Sequence, residues 1–324
     1  MKLKILLNTL GLVIMKSYVN AAVTIDWAYV GDAGNAADNS TGSAYGAVDH
    51  NYKISKHEVT VGQYTEFLNA VAKDDVHGLY DPGMGMNSNV AGISRSGSTG
   101  NHSFSVISGA ENLPITYVSW EDAARFVNWM ANGQGTASTE TGVYDMNLTD
   151  PIAAIGAGYW IPSESEWYKA AYYDPTLGNA DDGDNYHLYA TQSSSVPSND
   201  LPDAGNNANF DSSGYTLSGT NKLTDVGSFV GSASYYGTFD QNGNLAEWND
   251  ALTPGSSLSD SARGLRGGSW QNVEGDMRSS SRYELTSYVG TEYASFRIAS
   301  IPEPSSVVLI LISGFSFLLR RKRS

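Results

Sequence analysis

The segment Asp240-Gln241-Asn242-Gly243-Asn244-Leu245-Ala246-Glu247-Trp248 puts oxygen donors on a tight, glycine-containing turn. Hard oxygen donors held in this way suit calcium. The same residues also support a simpler reading, in which Asn-Gly-Asn makes the turn and Glu247 pairs with an arginine such as Arg266 or Arg297. Other chemistries have less to work with. The chain has no cysteine, so it can offer neither a thiolate nucleophile nor a thiolate ligand for a soft metal. His50, His57, His77, His102 and His187 are scattered, and none are spaced as a metal-binding triad on one helix. No Ser, His and Asp group carries a local triad motif. Glu164 and Glu166 look like a carboxylate pair, but Ser163 makes them the opening of a capped helix.

The elements that must hold these residues are short. Thr24 to Val30 alternates as a first strand, and Tyr45 to Ser55 reads as a strand pair. Thr60 is placed to cap a helix carrying Val61, Tyr64, Phe67, Leu68 and Val71 at helical spacing. Lys73 to Ser105, rich in Gly, Ser and Asn, predicts a surface loop with strand fragments. Ser119 caps a second helix, with Glu121 and Asp122 suited to its dipole and Ala123, Ala124, Phe126, Val127 and Met130 as its buried stripe. Ser163 and Glu166 form a capping box at a third, short helix. Beyond Tyr173 the chain is mostly loop until Thr224, and Leu265 to Trp270 and Tyr293 to Ala299 read as late strands.

Both ends differ from the middle. Lys2 and Lys4, an apolar run from Ile5 to Met15, and Ala21-Ala22 predict a secretory signal peptide over residues 1–22. Residues 301–324 hold Pro302 and Pro304, an apolar run from Val307 to Leu319, and the basic cluster Arg320 to Arg323. That run is shorter than the roughly 20 residues a comfortable membrane span needs. The tail resembles the bacterial PEP-CTERM sorting signal, which implies a Gram-negative envelope, a sorting protease as partner and membrane contact only through this segment. A permanent tail anchor is the alternative.

Between the ends lies one domain, residues 23–300, with no internal repeat and no linker to divide it. The whole chain carries a formal charge of −15; without the seven basic end residues and Glu303, 12 basic and 33 acidic residues remain, a formal charge of −21. Such a surface repels nucleic acid and anionic membranes. With no disulfides, stability must come from burial, to which 7 Trp and 20 Tyr contribute.

Several blocks occur in a fixed order: Glu58-Val59-Thr60-Val61-Gly62-Gln63-Tyr64, Leu113-Pro114-Ile115 with Val118-Ser119-Trp120-Glu121-Asp122-Ala123, and Trp160-Ile161-Pro162-Ser163-Glu164-Ser165-Glu166-Trp167. Gly243-Asn244-Leu245-Ala246-Glu247-Trp248, Arg266-Gly267-Gly268-Ser269-Trp270 and Phe296-Arg297 follow. Together they resemble the formylglycine-generating enzyme, or sulfatase-modifying factor, family. The resemblance implies an irregular, loop-rich α+β domain related to C-type lectins. It places calcium on the backbone carbonyls of Asn242, Gly243 and Leu245 with the Glu247 carboxylate, and a second, weaker calcium segment at Asn209 and Phe210. It puts the family's copper-binding cysteines at Asn272 and Met277, where no thiolate can form. The family's substrate groove would here be lined by Asn272, Glu274, Asp276, Arg278 and Ser279, which suit hydrogen bonding to a sugar but hold no nucleophile–base pair. The expectation is an exported, non-catalytic binding or structural module for surface polysaccharide or protein, with structural calcium. The competing expectation is an oxidoreductase of the same family with an altered metal site.

Overall fold

The computed structural model describes residues 22–40, 44–154, 156, 158–178, 184–253, 256 and 261–302. The expected signal peptide (1–22) and sorting signal (301–324) lie, apart from residues 22, 301 and 302, outside the described residues. Among the described residues, no helix is long and apolar enough to cross a membrane.

The chain runs β1 (Trp27–Val30), β2 (Tyr52–Ser55), α1 (Val61–Val71), α2 (Gly83–Met86), β3 (Ile93–Ser96), β4 (Ser103–Val106), α3 (Trp120–Ala131), β5 (Tyr159–Trp160), α4 (Glu164–Tyr172). It continues through β6 (Ala246–Leu252), β7 (Ala262–Arg266), a 3-10 turn (Glu274–Met277), β8 (Tyr283–Thr286), β9 (Ala294–Phe296) and β10 (Ala299–Ser300). One antiparallel sheet has the order β1-β2-β10-β5, and a second has the order β8-β7-β6-β9, in which only β6 and β9 run parallel. β3 and β4 form a separate hairpin.

The three long helices begin where their caps predict. Thr60 accepts from Gln63 N at 3.2 Å while Gln63 Oε1 accepts from Thr60 N at 2.9 Å. Ser119 with Asp122, and Ser163 with Glu166, close the same reciprocal box. α1 and α3 then meet through aromatic rings: Phe67 lies 5.5 Å from Phe126 and 5.4 Å from Trp129 between centroids. Phe126 reaches Phe296 of β9 at 5.4 Å, so helix pair and sheet share one core.

The strands depart from expectation. β1 starts at Trp27 rather than Thr24, and Tyr45 makes only a single bridge, to Asp38. The region from residue 73 carries its expected strand fragments as the β3–β4 hairpin, which ends at Val106, and also the unexpected short helix α2. β7 ends at Arg266, because Gly267 and Gly268 turn the chain with φ of 95° and 69°.

Candidate functional site

The two four-stranded sheets are joined in sequence by Arg297 and Ile298, which lie between β9 and β10. Arg297 is fully buried and binds both sides. Its Nη1 donates to Ser55 O at 2.9 Å and Lys56 O at 3.1 Å, at the end of β2. Its Nη2 donates to Phe239 O at 2.8 Å and to Glu247 Oε1 at 2.6 Å, and its Nε donates to Glu247 Oε2. Trp167 of α4 donates its indole N–H to the same Glu247 Oε2 at 2.7 Å. Burial opposes the guanidinium charge, but Glu247 against it holds the Arg297 pKa above its ordinary value.

Two further carboxyl groups stand near this pair. Asp240 accepts from Gly227 N at 2.6 Å, and burial pushes its pKa up to about 6. Burial, then the charges of Asp240 and Glu247, raise Glu58 well above the usual carboxylate range.

The turn leading into β6 is packed from every side. Asn242 Oδ1 accepts from Ala190 N, and its Nδ2 donates to Met277 O at 2.6 Å. Asn244 N donates to Asn209 O at 2.8 Å, while Asn209 Nδ2 donates to Lys222 O and Asn244 Oδ1. Gly243 has φ of 78°, and a Cβ there would stand 2.2 Å from Asn209 O, so the two chain segments approach as closely as backbone allows. The structure thus brings together the two segments that sequence assigned to calcium. Phe210 turns away into a buried cluster with Tyr189, Ala208 and Met277.

The donor set fits calcium poorly at its one carboxylate. Glu247 is fully buried and spends both oxygens on Arg297 and Trp167, and a divalent cation there would face the guanidinium. Of the two readings of this turn, the side chains form the arginine pairing, with Arg297. Arg266 belongs elsewhere: it donates to Glu164 Oε1 at 2.6 Å, beside Arg282 at 2.9 Å, and its guanidinium lies over the rings of Tyr45 and Tyr168.

The residues expected in the ligand groove divide. Asn272 accepts from Ser269 N at 3.0 Å and Oγ at 2.7 Å and donates to Asp276 Oδ2 at 3.2 Å. Asp276 also accepts from the Tyr283 hydroxyl. Met277 and Ser279 are buried, and Ser279 O takes a hydrogen bond from Arg266. Glu274 and Arg278 are exposed. The face open to a ligand is therefore narrower than expected, with Tyr215 half-exposed beside it, its ring tilted against Trp270 with centroids 5.4 Å apart.

Sequence reasoning missed Trp167 as a partner of Glu247, although it closes the same block as the capping box. It also treated Glu58 as a motif letter, and nothing local marks that carboxyl as buried. Trp248 is framework: it is fully buried and donates to Val118 O at 3.0 Å.

The class of protein is thus a loop-rich α+β domain with an Arg–Glu–Trp junction between two small sheets. Residues 29–301 match the model for the sulfatase-modifying factor enzyme 1-like domain, and the chain belongs to that family. Among solved structures it is similar to CarF, with 18% identity and a TM-score of 0.49 over 86% of this chain and 99% of that one. It is also similar to Treponema denticola variable protein 1, with 18% identity and a TM-score of 0.47 over 85% of this chain and 95% of that one. A third, PvdO from Pseudomonas aeruginosa, has 18% identity and a TM-score of 0.44 over 86% and 92% of the two chains. No curated protein matches.

Proposed function

We propose that the protein is an exported cell-envelope member of the family whose domain works as a non-catalytic binding or structural module for surface polysaccharide or protein. One observation carries the reading. The two positions that would need thiolates hold Asn272, which is wired to Ser269 and Asp276, and Met277, whose side chain is buried among Tyr189, Ala208 and Phe210. Neither presents a sulfur pair to a shared ligand, and the chain has no cysteine to substitute. What remains at this face is exposed Glu274 and Arg278 with half-exposed Tyr215, a mixture of charge and aromatic surface that suits a polar ligand. Export and envelope sorting rest on the two ends of the sequence, with the basic start, short apolar runs and Pro-Glu-Pro described above.

The experiment has two arms. Purified chain is given copper, oxygen and a cysteine peptide, and the peptide is followed by mass spectrometry; no aldehyde product is expected. The chain is then screened on a glycan array and against envelope proteins, with Glu274→Ala and Arg278→Ala each expected to weaken a hit. Stoichiometric copper or iron with oxygen consumption would replace this reading by the oxidoreductase one.

A further inference from the structure

A cleft of about 680 Å³ opens between the segment at residues 22–26, the β2–α1 connection and the turn at residues 225–226. It shares no lining residue with the Asn272–Ser279 face. Among the described residues, its walls carry Asp26, Glu58, Glu66, Glu111 and Asp225, and no lysine or arginine. The one histidine on its wall, His57, is stacked on Phe239 at 5.3 Å between centroids. Burial, followed by the Arg297 charge, lowers its pKa to about 4, so it adds no positive charge at neutral pH. Lys56 and Arg297 act on His57, but neither lines the cleft.

Glu58 is the residue that asks for a partner. It lines this cleft, is 2% exposed, and neither of its carboxyl oxygens has a hydrogen bond among the described residues. Buried polar groups are almost always paired, because leaving one unpaired costs its full desolvation. The neighbouring buried carboxyls are paired: Asp240 with Gly227 N, Glu247 with Arg297 and Trp167. The acidic walls and the unpartnered carboxyl are separate observations: the walls call for a cation, and a cation with hydrogen-bond donors would return to its charged form a carboxyl that burial and the charges of Asp240 and Glu247 otherwise keep neutral.

We propose that this cleft binds an alkylammonium group of the lysine type, with Glu58 as its inner acceptor and Asp26, Glu111 and Asp225 at the rim. A metal ion fits less well. Among the described residues no group of three or more His, Asp or Glu side chains is close enough to hold one. The volume is far more than a bare ion needs and leaves room for a side chain together with its flanking peptide. Val23, Ile25, Val106 and Val226 supply apolar wall for a methylene stem, and an ammonium brings three donors. The group could arrive on a polypeptide lysine or on a free amine; the ammonium chemistry is the same.

The test uses the purified full chain and calorimetric titration at about 0.15 M salt, where diffuse attraction beyond about 8 Å is screened. The probes are a capped Gly-Lys-Gly peptide, its Nε-acetylated twin, and cadaverine. Saturable binding of the lysine peptide but not the acetylated one is expected; binding of cadaverine alone would keep the site and assign its source to small amines. Glu58→Gln should weaken binding about tenfold, the scale of one charge-assisted hydrogen bond. Should that variant fail to fold, Glu111→Gln with Asp225→Asn provides the same comparison at the rim, and Asp200→Asn, outside the cleft, should bind like the unaltered chain. No saturation by either amine, equal binding of the acetylated peptide, or unchanged binding by folded cleft variants would overturn the proposal.

Discussion

Arg297 uses the planar fork of arginine in a way lysine cannot copy: two donors meet Glu247 while the others reach carbonyls of Ser55, Lys56 and Phe239. Removing one member of a buried pair strands the other as an uncompensated charge. Arg297→Met should therefore cost about 3–5 kcal/mol, read from urea unfolding. Pairing it with Glu247→Gln should recover part of that loss, and simple additivity of the two would show the pair to be uncoupled. A second residue gives a pH signature. His50 lies between Asp49 and Glu166, each 2.9 Å from a ring nitrogen. The Glu166 hydrogen bond, against opposing burial and with Asp49 assisting, raises its pKa from 6.5 to about 9. A raised histidine contributes stability that is complete below its unfolded pKa near 6.5 and is lost as pH rises through about 9. Between pH 6.5 and 10, the melting temperature of the unaltered chain should fall more steeply than that of His50→Gln; parallel curves would remove His50 from the account.

Helix starts were legible because capping is local. Thr60, Ser119 and Ser163 each sit three residues before the side chain that completes the box, and neighbouring residues alone specify the arrangement. Ser119→Ala should cost about 1 kcal/mol in denaturant unfolding, and it also removes a hydroxyl that donates to Asp122 at 2.7 Å. Restoring the cap as Ser119→Thr should recover most of the loss. Strands were less legible because several are only two to four residues long, too short to show an alternating pattern. β10 gains its place from Arg297 and from register with Ile54 and Trp160, partners far away in sequence. The candidate site divides in the same way. Glu247 with an arginine could be named from motif order, but Arg266, although it stands opposite Glu247 across the β6–β7 pair, is taken by Glu164 of α4, a contact remote in sequence that leaves Glu247 to Arg297. The burial of Met277 and Ser279 follows from contacts with Leu188, Ala208 and Asn242 across loops that carry no periodicity.

At the scale of the molecule, the acidic surplus and the calcium question meet in one measurement. A chain with 34 acidic and 19 basic residues repels itself when folded, and 7 of its basic residues lie at the two ends, leaving the domain between them more negative still. Raising salt from about 0.01 M to 0.15 M shortens the screening length from about 30 Å to about 8 Å. The melting temperature should therefore rise with sodium chloride, and each kcal/mol of repulsion relieved should appear as roughly 2–4 °C. Calcium chloride at the same ionic strength separates screening from binding. An ion held at Glu247 would have to displace Arg297 from a carboxylate whose oxygens are both engaged. The two salts should accordingly give superimposable melting curves, and chelator should shift neither. A calcium-specific rise that chelator reverses, and that Glu247→Gln abolishes, would show instead that this carboxylate exchanges its guanidinium for an ion, and that the junction between the two sheets is held by metal.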